Sequence, residues 1–399
     1  MSVTAPRGFR ATGVACGIKG SGALDLALVA SDHPCTAAAV FTTNQIQAAS
    51  IRYNQTMLAR RRAGFRAVVI NSGNANACTG PKGLLDVYNV TELAGSLLGF
   101  PPDTILMMST GVIGVPLPVE KIRAGLMRAV STLSEEGGEA AARAILTTDT
   151  YPKMAIRRLS IRGVRVTIGG MAKGAGMVHP DMATMLALIT TDAEIDADRL
   201  KALLRSAVDA SFHRITIDGD QSTNDTVMIL ANGAAGVAVD EDSMVLFEEA
   251  LTDLCVEMAK AIVRDGEGAT KLVEIRVQGA RTSEEARRIA CHIARSLLVK
   301  TAFYGGDPNW GRILAAAGAA GVPLNADALS LWVQHENGAP LLLFDRGSPA
   351  FYTEEEARRI FQAPFLRVLL DLGLGEEEDW VWTCDLSHDY VSINSSYRT

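Results

Sequence analysis

The chain has 399 residues, of which 48 % are hydrophobic and 21 % charged, and its formal net charge is -7. This length can bury a large core in about two domains, and the acidic balance argues against nucleic acid or a membrane surface as the main partner. Neither a signal peptide nor a run of about 18 apolar residues is visible, so we expect a cytoplasmic protein.

Six cysteines are scattered along the chain without a CxxC pair, namely Cys16, Cys35, Cys78, Cys255, Cys291 and Cys384. In a chain of this length we expect small buried side chains rather than a disulfide framework or a zinc site. The six histidines show neither HxxxH nor HExxH spacing. We therefore expect no bound metal ion. We also expect the protein to reside in a reducing compartment.

Strand and helix patterns alternate in the first half of the chain. Residues 66–73 (RAVVINSG) place consecutive β-branched residues before a glycine turn, which indicates a buried strand. Residues 119–133 repeat apolar side chains at helical spacing after a proline. Residues 157–170 alternate apolar side chains about a central glycine, which is typical of a β-hairpin.

The second half continues in the same manner. Residues 196–212 and 243–263 are predicted to be amphipathic helices. Residues 282–302 are predicted to form one helix that opens with a capping box from Thr282 to Glu285. Short strands and turns prevail towards the C-terminus, so the whole pattern indicates an α/β or α+β enzyme-like chain.

The stretch GAGMVHPDMATML (174–186) places a single threonine, Thr184, against an apolar run. A threonine hydroxyl is a poor nucleophile unless a base lies within hydrogen-bond reach. If the bond between Ala183 and Thr184 is cut, the new α-amine, with a pKa of about 7.7–8.0, can be that base. The alternative is that Thr184 is an ordinary threonine at the edge of a strand. The nearby Lys173 would then be a solvated surface lysine.

Three further polar segments can belong to the same site. Residues 107–118 leave an apolar strand at Thr110-Gly111, where a hydroxyl and a backbone N–H can stabilise an oxyanion; the alternative is a plain glycine turn. Residues 216–227 are dense in Asp, Asn, Ser and Thr, as in a catalytic loop or a hydrogen-bonded turn. Glu267 lies between glycines, where it can bind a ligand ammonium or be an exposed turn carboxylate.

Seven segments between about residue 8 and the last residue match the motifs of a known family: INSGNANACTG (70–80), STGVIGVPLP (109–118), LTTDTYPK (146–153), GGMAKGAGMVHPDMATML (169–186), DGDQSTNDT (218–226), LVKTAFYGGDPNWGRI (298–313) and NSSYRT (394–399). On these motifs the chain resembles the ornithine acetyltransferase family of arginine biosynthesis. The resemblance covers essentially the whole chain, and the long glycine-rich motif together with the threonine makes it specific.

The resemblance implies a fold of the α/β (α+β) class. Its main part is an α-β-β-α sandwich, similar in layering to N-terminal-nucleophile hydrolases but differently connected. A smaller C-terminal α/β domain follows. This divides the chain into structural domains at about 1–280 and 281–399.

The resemblance also implies an activity and a maturation step. The enzyme moves an acetyl group from N-acetylornithine to glutamate, giving ornithine and N-acetylglutamate. The acetyl group is carried on Thr184, so that no cofactor is needed, and acetyl-CoA stays open as a second donor. Self-cleavage between Ala183 and Thr184 gives an alpha chain, 1–183, and a beta chain, 184–399, which associate as an α2β2 heterotetramer.

The family's functional residues can be placed one by one on this sequence. Thr184 is the nucleophile, and Thr110 and Gly111 supply the oxyanion hole. The expected substrate-binding residues are Thr147, Lys173, Thr184, Glu267, Asn394 and Thr399. Thr148 and Thr150 lie in the same motif as Thr147 and stay open as alternatives, while Asn394 and Thr399 imply a tail that folds back to close the pocket.

Two other functions stay open at this point. An N-terminal-nucleophile aminopeptidase or amidase would use the same threonine but pass the acyl group to water. A non-catalytic metabolite-binding protein would keep the stretch 174–186 as a rigid core turn. A P-loop or dinucleotide site is disfavoured, because GIKGSG (17–22) has the spacing of neither motif.

Overall fold

The computed structural model describes residues 2–179 and 185–396. The strands of this part of the chain are β1 (Phe9–Val14), β2 (Leu26–Phe41), β3 (Ala63–Asn74), β4 (Ile105–Val112), β5 (Lys153–Ile161), β6 (Val164–Lys173), β7 (Leu186–Thr191), β8 (Thr226–Ala231), β9 (Leu272–Ala280), β10 (Ser330–His335), β11 (Leu341–Asp345), β12 (Ser348–Pro349), β13 (Phe365–Asp371) and β14 (Glu377–Cys384). Its α-helices are α1 (Ala49–Arg60), α2 (Gly80–Leu98), α3 (Val119–Ser131), α4 (Gly138–Ala144), α5 (Ala197–Asp209), α6 (Glu241–Arg264), α7 (Ser283–Arg295), α8 (Leu297–Gly305), α9 (Trp310–Gly318), α10 (Glu354–Phe361) and α11 (His388–Ser396).

The larger sheet runs in the order β4-β3-β2-β8-β7-β6-β5, and β1 pairs with β2 outside this path. Strand β2 belongs to both halves of the sheet, because its residues 26–30 pair antiparallel with β3 and its residues 36–41 pair antiparallel with β8. The pairs β3–β4 and β7–β8 are parallel. The predicted hairpin is present as the antiparallel pair β5–β6, which turns at residues 162–163.

The two central strands, β7 and β8, are buried on both faces. Consecutive side chains of a strand point to opposite faces, and Leu188 and Ile189 accordingly belong to two different cores. The core around Ile189 contains side chains of α5 and α6, and the core around Leu188 contains side chains of β1–β4 and of α1–α4. Helices, two layers of strands and helices again follow one another, so the predicted α/β class and its layering are confirmed.

The smaller sheet runs in the order β12-β11-β10-β13-β9-β14. Its only parallel pair among the described residues is β9–β13. Helices α7 to α10 pack on it and share a third core with its strands. Strand β9 lies just before the predicted domain boundary at about residue 280, so the smaller sheet takes its first strand from the chain before that boundary.

The segment 282–302 contains two helices, α7 and α8, where the sequence predicts one. Between them Ser296 has an extended backbone (φ -65°, ψ 116°), and its side chain accepts a hydrogen bond from the Val299 N–H. Thr282 caps α7 by accepting from the Glu285 N–H at 3.1 Å. The Glu285 carboxylate faces Arg281 at 3.5 Å, so only the first half of the predicted capping box forms.

Three of the six cysteines are buried as predicted, namely Cys35, Cys255 and Cys384. Cys78 is exposed, because it lies in the polar loop between β3 and α2, so the prediction is wrong for this residue. No helix within residues 2–179 and 185–396 is long and apolar enough to cross a membrane.

Candidate active site

Two parallel strands, β3 and β4, end side by side at one edge of the larger sheet. Their register pairs Ser72 with Thr110 and Gly73 with Gly111. Parallel strands send the loops at their carboxyl ends to the same edge, which is where α/β proteins commonly bind ligands. The predicted turn at Thr110 therefore meets the loop that follows β3.

Glycine is required at position 111 by a close approach of two backbones. Gly111 has a φ of 131°, in a region that favours glycine. A Cβ atom at this position would lie 2.3 Å from the carbonyl carbon of Gly73 and 2.5 Å from the nitrogen of Asn74. The turn after the buried Thr110 can therefore take this shape, close against the loop after β3, only with glycine at this place.

The polar segment 216–227 is tied to the same edge by a side-chain amide. The Nδ2 of Asn224 donates to the carbonyl of Ala75 at 2.7 Å and to that of Ser109 at 2.8 Å. The Ser109 hydroxyl in turn donates to Asn71 Oδ1 at 2.7 Å. Three segments that are distant in the sequence are thereby fixed around one place, and the segment 216–227 is both a hydrogen-bonded turn and part of the site.

Lys173 is the last residue of β6, and only 2 % of it is exposed. Its Nζ lies 3.4 Å from the hydroxyl oxygen of Thr110. Burial lowers the pKa of the Lys173 ammonium, while the carboxylates of Asp149 and Asp225 oppose this shift. The alternative of a solvated surface lysine is therefore wrong, because this side chain is buried.

Lys153 and two carboxylates form a buried ion network near Lys173. The Nζ of Lys153 lies 2.5 Å from Asp149 Oδ1 and 2.5 Å from Asp265 Oδ2. The Gly174 N–H donates to Asp149 Oδ1 at 2.6 Å. Burial by itself would raise the pKa of Asp149, but Lys173 and Lys153 outweigh it and lower the pKa to about 2. A charged Asp149 thus holds the start of the glycine-rich loop.

The three threonines of the motif LTTDTYPK have different surroundings. Thr147 and Thr148 line the cleft. Thr150 bonds to Asp265 through its hydroxyl and also through its N–H at 2.9 Å. The geometry therefore favours Thr147 or Thr148, rather than Thr150, as the threonine that faces a substrate.

Two carboxylates hold the glycine-rich loop on its other side. Asp218 accepts hydrogen bonds from the N–H groups of Met177 at 2.5 Å and of Val178 at 2.9 Å. Glu267 packs so tightly on the loop that a Cβ atom at Gly176 would lie 2.4 Å from its Oε2. Since Glu267 is only 7 % exposed, the alternative of an exposed turn carboxylate is wrong.

Helix α11 brings the C-terminal segment to the same cleft. The Nδ2 of Asn394 donates to Glu267 Oε2 at 2.7 Å, and the Tyr390 hydroxyl donates to Asp218 Oδ2 at 3.2 Å. Burial and the nearby Asp218 carboxylate raise the pKa of Tyr390, so its hydroxyl stays a donor. The helix is thereby bound to both carboxylates that hold the glycine-rich loop.

These groups line one cleft of about 660 Å³ that is open to solvent. The predicted site residues that line it are Thr110, Gly111, Thr147, Lys173, Glu267 and Asn394. The other predicted site residues, Ala183, Thr184 and Thr399, lie outside the described residues, and their roles stay predictions. The cleft also contains residues that the sequence did not single out: Asp218, Asn224 and Tyr390. The first two lie in the polar segment 216–227, which was the available signal, whereas nothing pointed to Tyr390.

A concave site with a buried lysine, several hydroxyls and a wall of carboxylates is typical of an enzyme that acts on a small charged molecule. In the part of the chain that the structure describes, no group of three or more His, Cys, Asp or Glu side chains is placed to hold a metal ion. The fold and the cleft thus define an α/β enzyme.

Comparison with known proteins narrows this class. The model of the ArgJ family matches residues 10–399. The arginine biosynthesis bifunctional protein ArgJ of Symbiobacterium thermophilum is 48 % identical over 403 residues, with 100 % of this chain and 98 % of that protein covered. The protein of the same name from Parasynechococcus marenigrum is 46 % identical over 397 residues, covering 100 % of this chain and 95 % of its own. This chain belongs to the ArgJ family.

A crystal structure supports the assignment. The arginine biosynthesis bifunctional protein argJ of Bacillus halodurans superposes with a TM-score of 0.50 at 39 % identity. The match covers 53 % of this chain and 98 % of that chain.

Proposed function

We propose that this chain cuts itself between Ala183 and Thr184 and then transfers an acetyl group from N-acetylornithine to glutamate. The observation that carries the proposal is the meeting of six residues, named from the resemblance, in one cleft. They come from strands, loops and a helix that are far apart in the sequence. The names of the relatives support a step of arginine biosynthesis.

Two observations support the cut. The chain is anchored on both sides of residues 180–184, because Asp218 binds the N–H of Val178 and Asp225 binds the N–H of Met185 at 3.0 Å. Both anchors hold the described residues that flank the proposed cut. In addition, 98 % of the Bacillus halodurans chain matches only 53 % of this one, so that solved chain is about half as long.

The first half-reaction forms an acetyl ester on Thr184. Its Oγ attacks the acetyl carbonyl carbon, and the hydroxyl proton passes to the α-amine of the same residue. The Thr110 hydroxyl and the Gly111 N–H donate to the oxyanion, and the Lys173 Nζ supports Thr110 from 3.4 Å. The bond between carbon and nitrogen then breaks, and ornithine leaves with the proton that the α-amine returns.

The second half-reaction uses the same groups in reverse. The amine of glutamate attacks the ester carbonyl, and Thr184 leaves with its hydroxyl proton restored. Both substrates carry a carboxylate and an amino group, which suits a cleft with the amine of Lys173 and the carboxyl groups of Glu267 and Asp218 along its wall. Asn394 covers one side of this cleft, and exclusion of water protects the ester from hydrolysis.

The proposal also covers the assembly, the location and the second acetyl donor. The two products of the cut, 1–183 and 184–399, stay together as an α2β2 heterotetramer in the cytoplasm. Each pair is built from structural domains at about 1–280 and 281–399. Acetyl-CoA serves as a second acetyl donor, which the word bifunctional in the relatives' names supports.

Intact-mass measurement of the purified protein tests the proposed function. We expect two masses, one of them a fragment that begins at Thr184, and an added acetyl group on this fragment after incubation with N-acetylornithine. Glutamate is expected to remove the acetyl group as N-acetylglutamate. Release of free acetate without transfer would support an amidase, and an uncut, unacylated chain would support a binding protein.

Deletion of residues 394–399 is expected to lower transfer strongly without unfolding the protein. The deletion removes the bond between Asn394 and Glu267 but keeps Tyr390 bound to Asp218, so the rest of α11 stays in place. Steady-state transfer and a thermal melt measure the two effects. The matched control is Ser395→Ala, which removes a bond within the exposed helix only. A fully active truncated protein would contradict the role of the tail.

Thr110→Val is expected to slow acetyl transfer about 10²–10³-fold, because it removes one oxyanion donor while keeping the shape of the side chain. The transfer rate at saturating N-acetylornithine is the measurement. Thr91→Val is the control, since Thr91 is a buried threonine in α2 whose hydroxyl bonds to its own helix. Equal rates for the two variants would exclude Thr110 from the oxyanion hole.

A further inference from the structure

The loop GIKGSG (17–22) is fixed in place by a buried carboxylate. Asp25 lies directly before β2 and is 0 % exposed. Its Oδ1 accepts a hydrogen bond from the Cys16 N–H at 2.6 Å. Its Oδ2 accepts from the N–H groups of Ile18 at 2.6 Å and of Lys19 at 3.0 Å. The backbone of Lys19 therefore has a defined position, although the loop matches neither a P-loop nor a dinucleotide motif.

The apolar stem of the Lys19 side chain packs against the end of β3. Gly73 has a φ of 94°, and a Cβ atom at this position would lie 3.2 Å from Lys19 Cγ. Gly73 in turn pairs with Gly111, where a Cβ atom would lie 2.3 Å from the Gly73 carbonyl carbon. The stem of Lys19 thus contacts the residue on which the turn at Gly111 packs, so a test of the amino group must keep this stem.

The amino group of Lys19 joins two segments of the chain. Its Nζ donates to the Leu24 carbonyl at 2.8 Å and to the Leu146 carbonyl at 2.6 Å. Lys19 is half-buried, and burial lowers its pKa to about 8 although the Asp25 carboxylate opposes the shift. At neutral pH the group is thus still largely an ammonium. A charged donor makes stronger hydrogen bonds than a neutral one, so both carbonyls are firmly held.

The bond to Leu146 fixes the peptide group that leads into the cleft. The Leu146 carbonyl and the Thr147 N–H belong to the same planar peptide group. Lys19 binds the carbonyl, and Asp149 Oδ2 accepts from the N–H at 3.0 Å. Two side chains thereby hold opposite ends of one rigid plane, which also contains the Cα atom of Thr147. Because Thr147 lines the cleft, Lys19 helps to set where the hydroxyl of this threonine lies.

We propose that Lys19 positions Thr147 for the binding of N-acetylornithine, an inference that rests on the proposed function. Lys19 is not among the residues that line the cleft, so it acts through the Leu146 carbonyl rather than on the substrate. Without this bond the peptide group keeps only its contact with Asp149 and can tilt. The Thr147 hydroxyl is then less often in place to meet the substrate, whereas the turn at Gly111 is unchanged. The loss is therefore in substrate binding and not in the chemical step.

Lys19→Met tests this assignment in the full chain. Methionine keeps the apolar stem that packs against Gly73 but donates a hydrogen bond to neither carbonyl. We expect the KM for N-acetylornithine, at saturating glutamate, to rise about tenfold, with kcat within about twofold of the wild type. A thermal melt shows whether the variant is folded. An unchanged KM, while the wild type transfers acetyl groups to glutamate, would overturn the inference and leave the proposed function standing.

The matched control is Lys121→Met. The Nζ of Lys121 donates to the Gly17 carbonyl at 2.6 Å, so this lysine also binds a backbone carbonyl of the loop, but from an exposed position on α3. The variant is expected to keep the wild-type KM. A rise in KM equal to that of Lys19→Met would show that any loosening of the loop weakens binding, and it would overturn the inference. A wild type that transfers no acetyl group would overturn both the inference and the proposed function.

A double-mutant cycle with Thr147→Val provides a readout that a merely structural role would not move. Once the Thr147 hydroxyl is absent, Lys19→Met is expected to raise the KM by less than about twofold, because it acts through that hydroxyl. In the Thr148→Val background it is expected to keep its effect of about tenfold. A rise of about tenfold in the Thr147→Val background would overturn the inference. If Lys19→Met does not fold, Lys19→Gln replaces it with the same expected outcomes, since this side chain is uncharged and too short to hold both carbonyls.

Discussion

The Thr184→Ala variant is expected to remain one uncut chain of 42.4 kDa and to transfer no acetyl group. The substitution removes the attacking oxygen, and without the cut it also removes the α-amine that serves as base. A denaturing gel and an assay for N-acetylglutamate measure the two losses.

Thr184→Ser is the matched control for this variant. Serine keeps the hydroxyl and lacks only the methyl group that restricts χ1, so some cutting is expected to remain. An uncut Thr184→Ala chain that transfers acetyl groups would show that another residue carries the acetyl group. Cutting of that variant at the same bond would show that the hydroxyl does not start the cleavage.

Lys153→Met is expected to destabilise the fold by about 3–5 kcal/mol, the cost of leaving buried charges without their partner. Lys153 and Asp149 have fully buried side chains, and that of Asp265 is 3 % exposed. Without the ammonium, two carboxylates would face each other in the interior. The glycine-rich loop would lose the bond from the Lys153 Nζ to the Gly174 carbonyl at 3.2 Å, and the carboxylate that holds the Gly174 N–H would lose its partner.

Urea unfolding in the Thr184→Ala background measures this effect, because the chain is then expected to stay continuous. Arg62→Met is the control: the side chains of Arg62 and of its partner Asp198 are 76 % and 79 % exposed, and such a pair contributes about 0–1 kcal/mol. An equal decrease in the free energy of unfolding in the two variants would mean that the buried network adds no more stability than a surface ion pair.

Local patterns were sufficient for several elements of the fold. The hairpin β5–β6 and the helix α6 follow directly from apolar periods of two and 3.6 residues. The break at Ser296 was not predictable in this way, because a serine is compatible with a helix interior and with a cap. Helix α8 also makes a contact that is distant in the sequence, because the Nζ of Lys300 lies 3.1 Å from Thr383 Oγ1.

The site shows a similar division between local and distant information. The resemblance supplied the residue names, and the polar segment 216–227 marked one wall of the cleft. The sequence did not indicate that Lys153 is buried, because its partner Asp265 lies 112 residues further along the chain. Tyr390 meets Asp218 across 172 residues, so nothing in its own neighbourhood indicated that it belongs to the cleft.

The order of strands in the larger sheet has a consequence for the cut chain. Strands β7 and β8, which follow position 184, lie between β2 and β6, which precede it. Severing the backbone there leaves the two pieces interleaved, with ladders of hydrogen bonds on both sides of the inserted pair. A second piece made alone would carry two open edges ready to aggregate. If the chain is cut as proposed, its larger sheet must therefore form before the cut is made.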